Sequence, residues 1–144
     1  MSLRESIADN IVTTLRAATT PVTIKYVTRE PFDFNKLSNA QYPACLVQSS
    51  IENREDITLG ENSNRRTGSI EYTVTGFVKS KDIDTARNNL IETIEESLDA
   101  DRTRGGYALD SQVIRIETDE GSIDPIGGII CTVRVRYNYV RGNT

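Results

Sequence analysis

Apolar residues recur along this chain with two different periods, and the switches between them mark out its elements. Leu3, Ile7, Ile11 and Leu15, with Val12 beside them, fall at helical spacing, while Asp9, Asn10, Thr13, Thr14 and Arg16 face away. Ser2 stands where an N-cap belongs, and Glu5 follows three positions later, which completes the pattern of a capping box. Pro21 sets the far limit of this helix, because the residue before a proline is pushed out of the helical region. Residues 23–27 alternate as a short strand. Residues 28–42 have no period but carry Phe32 and Phe34, so this long segment is expected to pack on something. Tyr42-Pro43 leads into a second strand over 44–51.

The strongest pattern lies between Gly68 and Asp101. Over residues 69–78, Ile70, Tyr72, Val74 and Val78 share one face and Glu71, Thr73 and Thr75 take the other, as in a half-buried strand. After a break at Lys79-Ser80-Lys81, Ile83, Ala86, Leu90, Ile91, Ile94 and Leu98 form one helical stripe. Arg87, Asn88, Glu92, Glu95, Glu96 and Asp99 lie off it, and Asp82 or Asp84 can cap its start. Gly105 and Gly106 mark the exit from this helix. Residues 112–118 form a strand, and a turn-rich stretch from Asp119 to Gly128 leads to a long last strand. There, Ile129, Cys131, Val133, Val135, Tyr137 and Tyr139 share one face, and Ile130, Thr132, Arg134, Arg136 and Asn138 the other. The order helix, strand, strand, strand, helix, strand, strand predicts an α+β fold, a mostly antiparallel sheet with two helices packed on one face.

The 144 residues suit one domain spanning 1–144. No apolar run approaches the roughly 18 residues of a membrane helix, and the N-terminus lacks the apolar stretch of a signal peptide. Synthesis in the cytoplasm is therefore expected, with no membrane partner. The net charge of −4 argues against a dedicated nucleic-acid binder, which would ordinarily be basic. Cys45 and Cys131 sit in strand-like runs and are expected to be reduced, buried thiols. Two thiols without histidine cannot supply the four protein ligands of a structural zinc site. The absence of histidine also removes the commonest general base.

The remaining candidate chemistry reads more readily as structure. Asp119, Glu120 and Asp124 could hold calcium, but they lack the ligand spacing of an EF-hand and fit a solvated turn. Arg102-Thr103-Arg104-Gly105-Gly106 could cradle a phosphate, but it follows a helix rather than opening one. Arg134 and Arg136, with Lys25, could form a basic stripe, yet Tyr137 and Tyr139 lie on the opposite face and offer no stacking platform beside it. Acids fall mostly in turns and on helix exteriors, which disfavours a carboxylate-dependent hydrolase or nuclease. Neither a catalytic site nor a cofactor is expected.

Residues 53–67 stand apart. Arg54, Arg65 and Arg66 are set against Glu55, Asp56 and Glu61 in a stretch with few apolar residues. It reads either as a plain loop or as a long hairpin with its tip at 60–64 that extends the flanking strands; the hairpin is favoured. In the second case these six residues form a contact arm to a neighbouring subunit.

Taken along its length, the chain resembles the tail terminator, or tail completion, proteins of long-tailed bacteriophages. The likeness rests on the helix that begins at Ser2, on Tyr42-Pro43 leading into Cys45-Leu46-Val47, and on the arm. It continues through Tyr72-Thr73-Val74-Thr75-Gly76-Phe77-Val78 and the helix over 83–98, then Tyr107-Ala108-Leu109-Asp110, the turn at Gly121 and Val133-Arg134-Val135-Arg136-Tyr137. It is a similarity of element order and spacing rather than of one motif, and phage neck and tail-tube proteins share parts of it. The resemblance implies a virion protein made in the host bacterial cytoplasm and placed in the tail or neck. It implies a homo-oligomeric, hexameric ring that caps the tail tube and stops its polymerisation. It further implies a tail tube protein and a head-tail connector or head completion protein as partners, with DNA only as passing cargo.

Overall fold

The computed structural model describes residues 2–32, 36–56, 65–119 and 126–140, without the side chains of Glu55, Asp56, Arg65, Tyr139 and Val140. Two helices, α1 (Leu3–Ala17) and α2 (Ile83–Asp99), accompany five strands: β1 (Tyr26–Thr28), β2 (Ala44–Asp56), β3 (Arg65–Lys79), β4 (Asp110–Thr118) and β5 (Ile126–Val140). They form one sheet in the order β1-β2-β3-β5-β4. Only β1 and β2 run parallel; the other neighbours are antiparallel. The fold is α+β, as the two periods predict.

The pairing of β3 with β5 is unbroken from Arg65↔Val140 to Lys79↔Ile126. It aligns the alternating apolar faces, so Ile70, Tyr72, Val74 and Val78 are buried with Ile129, Cys131, Val133, Val135 and Tyr137. Onto that face pack Ile7, Ile11 and Leu15 of α1 and Leu90, Ile94 and Leu98 of α2, in one continuous core. Cys45 and Cys131 are buried free thiols in it. At Gly76 a Cβ would lie 2.7 Å from Leu90 Cδ2 and 2.9 Å from Ile129 Cγ1, so bare backbone there lets α2 press onto the sheet.

Several expectations change in detail. The first strand begins at Tyr26, not Thr23, because β2 offers it a partner only from Pro43 onward: the Lys25 N–H donates to the Pro43 carbonyl (2.9 Å). At Ser2 only half of the capping box forms. Ser2 Oγ accepts from the Glu5 N–H (3.1 Å), while the Glu5 carboxylate turns to Arg29. Asp82 occupies the N-cap of α2 without a side-chain cap bond; its own N–H donates to Ser80 Oγ (3.1 Å). Arg87, expected on the outside of α2, is only 12% exposed. Its guanidinium donates to the Asp119 carboxylate and carbonyl, both at 2.6 Å, and holds the end of β4 to the helix. Arg16, also expected to face away, donates to the Val27 carbonyl (3.0 Å). Phe32 does pack, edge-on between Tyr26 and Phe77, with centroids 5.5 and 5.9 Å apart; Phe34 lies outside the described residues.

Thr93 was not distinguished by the pattern, yet it is fully buried. Its hydroxyl donates to the Asn89 carbonyl (2.8 Å) and accepts the Val22 N–H (3.2 Å), tying the chain after α1 to α2.

The stripe on α2 gives a direct test. Ile94→Ala should cost about 2–5 kcal/mol in urea unfolding, the usual range for emptying a buried isoleucine site. Ile94→Asp should fail to fold, because it places an unpaired charge in the core. Glu95→Ala should stay within about 0.5 kcal/mol of the parent. Equal midpoints for all three proteins would place the apolar face elsewhere.

Candidate functional site

The stretch read as loop or hairpin is a hairpin in its described part. β2 and β3 pair out to Asn53↔Ser69, Arg54↔Gly68, Glu55↔Thr67 and Asp56↔Arg66. The structure adds a third strand that the pattern did not reveal: β5 runs beside β3 to Arg66↔Tyr139 and Arg65↔Val140. The arm is thus a three-stranded ribbon, reaching about 17 Å beyond Ile70 at about 3.4 Å per residue.

The six candidate residues divide. Asp56 and Arg66 oppose each other across the ladder. Arg66 Nη2 lies 3.5 Å from the Arg54 carbonyl, and Arg54 Nε donates to Glu52 Oε1 (3.1 Å). Part of the arm's positive charge is therefore used inside the subunit rather than offered outward. Glu61 lies outside the described residues, as does the expected tip at 60–64, and for Glu55, Asp56 and Arg65 only the backbone position is described.

The root of the arm is a built site. Tyr137 pairs with Gly68, and a Cβ at Gly68 would sit 2.4 Å from Tyr137 Cζ, so the ring lies directly over the glycine backbone. A cross-strand aromatic covering a glycine is a recognised way to pin strand register. The Tyr137 hydroxyl donates to the Glu52 carboxylate, which also takes Arg4 Nη1 (3.3 Å) and Arg54 Nε. The Tyr72 hydroxyl donates to the Arg4 carbonyl (3.0 Å) at the start of α1. One network thereby joins α1, β2, β3 and β5. Burial, followed by the hydrogen bond to Glu52 and its charge, pushes the Tyr137 phenol up to about 12. Burial and then the Glu52 charge push Tyr72 up as well. Glu52, Tyr137 and Gly68 were not singled out as a unit; the available signal was a tyrosine on the buried parity of a strand end, opposite a glycine.

The other candidates are occupied internally. Arg104 is fully buried, in the left-handed region at φ +50, and its guanidinium donates to the Leu98 and Asp101 carbonyls at the end of α2. Burial lowers its pKa, against the opposing charges of Asp101 and Asp99. Arg102 pairs with Asp110 at 2.8 and 3.0 Å. The Asp119 carboxylate accepts the Gly128 N–H (2.8 Å) besides Arg87, while Glu120 and Asp124 lie outside the described residues. Among the described residues no cluster of metal-ligating side chains forms. Lys25, just before β1, and Arg134 and Arg136 of β5 are separated by two strands and do not make one stripe. Arg134 instead stands opposite Glu71 on one side and Gln112 on the other. Among the described residues no helix is long and apolar enough to cross a membrane.

The class defined here is an α+β fold with one helix-covered sheet face, one open face and a ribbon arm. No protein-family model matches the chain, and no curated protein does. Among solved structures it is similar to a chain of the "virion of native gene transfer agent (GTA) particle". The TM-score is 0.56 at 9% identity, over 95% of this chain and 98% of that one. At that identity the likeness is one of fold.

Two measurements test the root. Gly68→Ala should destabilise the protein by about 1–3 kcal/mol, the range for overpacking a filled site, while Ser69→Ala beside it on the open face should be near neutral. On alkaline titration, Tyr137 and Tyr72 hold their protons more tightly folded than unfolded. Their contribution is intact below the ordinary tyrosine value near 10 and is lost as pH rises from there towards about 12. Ultraviolet titration should therefore show at least two tyrosines ionising late, together with unfolding. All six ionising together in the folded protein would contradict this.

Proposed function

We propose that this chain is a structural subunit of a phage-like particle, one that closes into a ring on the tail tube. The ring ends tube growth and presents the surface that joins tail to head. The observation that carries this reading is the likeness to a chain of a gene transfer agent virion across nearly the full length of both chains. A likeness of that extent concerns nearly the whole chain rather than a common sheet-and-helix fragment. The resemblance to tail terminator proteins in element order points the same way. On this reading the protein works through interfaces, without catalysis or cofactor. Its partners are copies of itself, a tail tube protein and a head-tail connector or head completion protein, with DNA passing through.

A ring needs a heterologous contact, in which one surface meets a different surface of the next copy. The ribbon arm is suited to supply part of it, because it projects beyond the helices and carries both charge signs. The side chains proposed to make that contact are Arg54, Glu55, Asp56, Glu61, Arg65 and Arg66.

Negative-stain microscopy and solution mass of the purified protein test the ring. Closed rings are expected; open filaments would favour a tube protein, and a monomer at high concentration would overturn the reading. A second variant isolates the arm. Replacing 57–64 by a short glycine-containing turn leaves Arg54, Gly68 and Tyr137 in place, so the subunit should fold with an unchanged melting temperature. Its rings should weaken, and particles made with it should carry overlong or headless tails. Normal rings and normal tail length would remove residues 57–64, Glu61 among them, from assembly.

A further inference from the structure

The two edges of the sheet share a feature that a lone subunit does not use. β1 covers only Ala44–Leu46 of β2, so among the described residues no strand lies outside β2 from Val47 to Asp56. β4 is the opposite edge and has no outer neighbour along Asp110–Thr118. Each free edge contains a bulge: one between Ser49 and Glu52, the other between Val113 and Arg115. Each bulge turns an isoleucine to solvent. Ile51 is 57% exposed and Ile114 36%, with Ile116 beside it at 40%. A bulge re-aims a side chain and interrupts the ladder, a common guard against indiscriminate strand pairing. Aiming isoleucine outward works against that guard, since it leaves apolar surface in water at both edges.

The strand directions suit a join between these edges. β2, β3, β5 and β4 are successively antiparallel, so β2 and β4 run in opposite directions. When copies are related by rotation about an axis along the strands, β4 of one copy meets β2 of the next in antiparallel sense. The alternation then continues across the seam, in the pairing that is slightly the more stable per residue. Two-fold pairing of β4 with β4 would leave Ile51 exposed in every copy, and β2 with β2 would leave Ile114 and Ile116. A heterologous join covers both edges of every copy with a single kind of contact, and rotation can close it into a ring.

We propose that the β4 edge of one copy docks on the β2 edge of the next, with Ile51 seated against the bulge residue Ile114. Short ladder segments flank this apolar contact on either side of the bulges. The occupant of each edge is thus a second copy of this chain. The proposal rests on the ring reading and assigns it a seam separate from the arm.

The test mixes two single-cysteine variants of the full chain. Ile51→Cys is combined with Ile114→Cys, or with Ile116→Cys from the opposite sheet face as a control, and treated with a short bis-maleimide. The buried native thiols Cys45 and Cys131 should stay unreactive in the folded protein. Covalent dimers are expected in the Ile114→Cys mixture and in no variant alone. In parallel, Ile51→Asp should raise the concentration needed for assembly at least about tenfold, a loss of about 1.4 kcal/mol, without lowering the melting temperature of the subunit. Rings that persist in Ile51→Asp without mixed cross-links overturn the seam and leave the ring reading standing. Cross-links confined to like chains overturn it in favour of two-fold pairing. A wild-type protein that stays monomeric overturns both readings.

Discussion

The register between β3 and β5 is the constraint on which the rest of the molecule depends. It holds without a bulge from Arg65↔Val140 to Lys79↔Ile126. Because side chains alternate with period two, a slip of one residue would move every apolar side chain of one strand to the open face. Ile70, Tyr72 and Val74 would then leave α1 and α2 without a floor. The same register carries the ribbon past the helices and places Tyr137 over Gly68.

At the root of the arm polar groups share in holding that register. Glu52, 14% exposed, gathers the Tyr137 hydroxyl and the guanidinium groups of Arg4 and Arg54. Such a carboxylate is tolerable at low exposure because each of its contacts is a donor, two of them charged. Arg104 plays a comparable part just past α2, where its guanidinium donates to the Leu98 and Asp101 carbonyls, which also accept the backbone N–H groups of Asp101 and Arg104. Polar side chains therefore fix the positions where regular elements end, and the assembly proposed for the chain uses what extends beyond those positions: the arm and the two edges.

The open face of the sheet differs in character from the covered one. Thr73 opposes Thr132, and Glu71 opposes Arg134, so this face satisfies itself with polar pairs across the strands. Of the exposed isoleucines, Ile51, Ile114 and Ile116 lie at or beside the bulges of the two edges, while Ile130 lies on the open face of β5, opposite Thr75.

The chain's periodicity determined the two helices, the five strands, the buried faces of the helices, β3 and β5, and hence the α+β class, because hydrophobic period is a local property that burial imposes on neighbouring residues. It even favoured the hairpin over the loop at 53–67. It did not reveal that β5 would lie between β3 and β4 and make the arm three-stranded. It placed Arg87 and Arg16 on the outside, where their length in fact lets them reach back to Asp119 and Val27. It treated Arg104 as a favourable end charge and not as a buried cap. It passed over the root of the arm, since Tyr137 and Glu52 are 85 positions apart. Those features were decided by tertiary structure alone. A polar side chain has no period of its own, and whether it is internal or exposed depends on a partner that only the folded chain brings within hydrogen-bond reach.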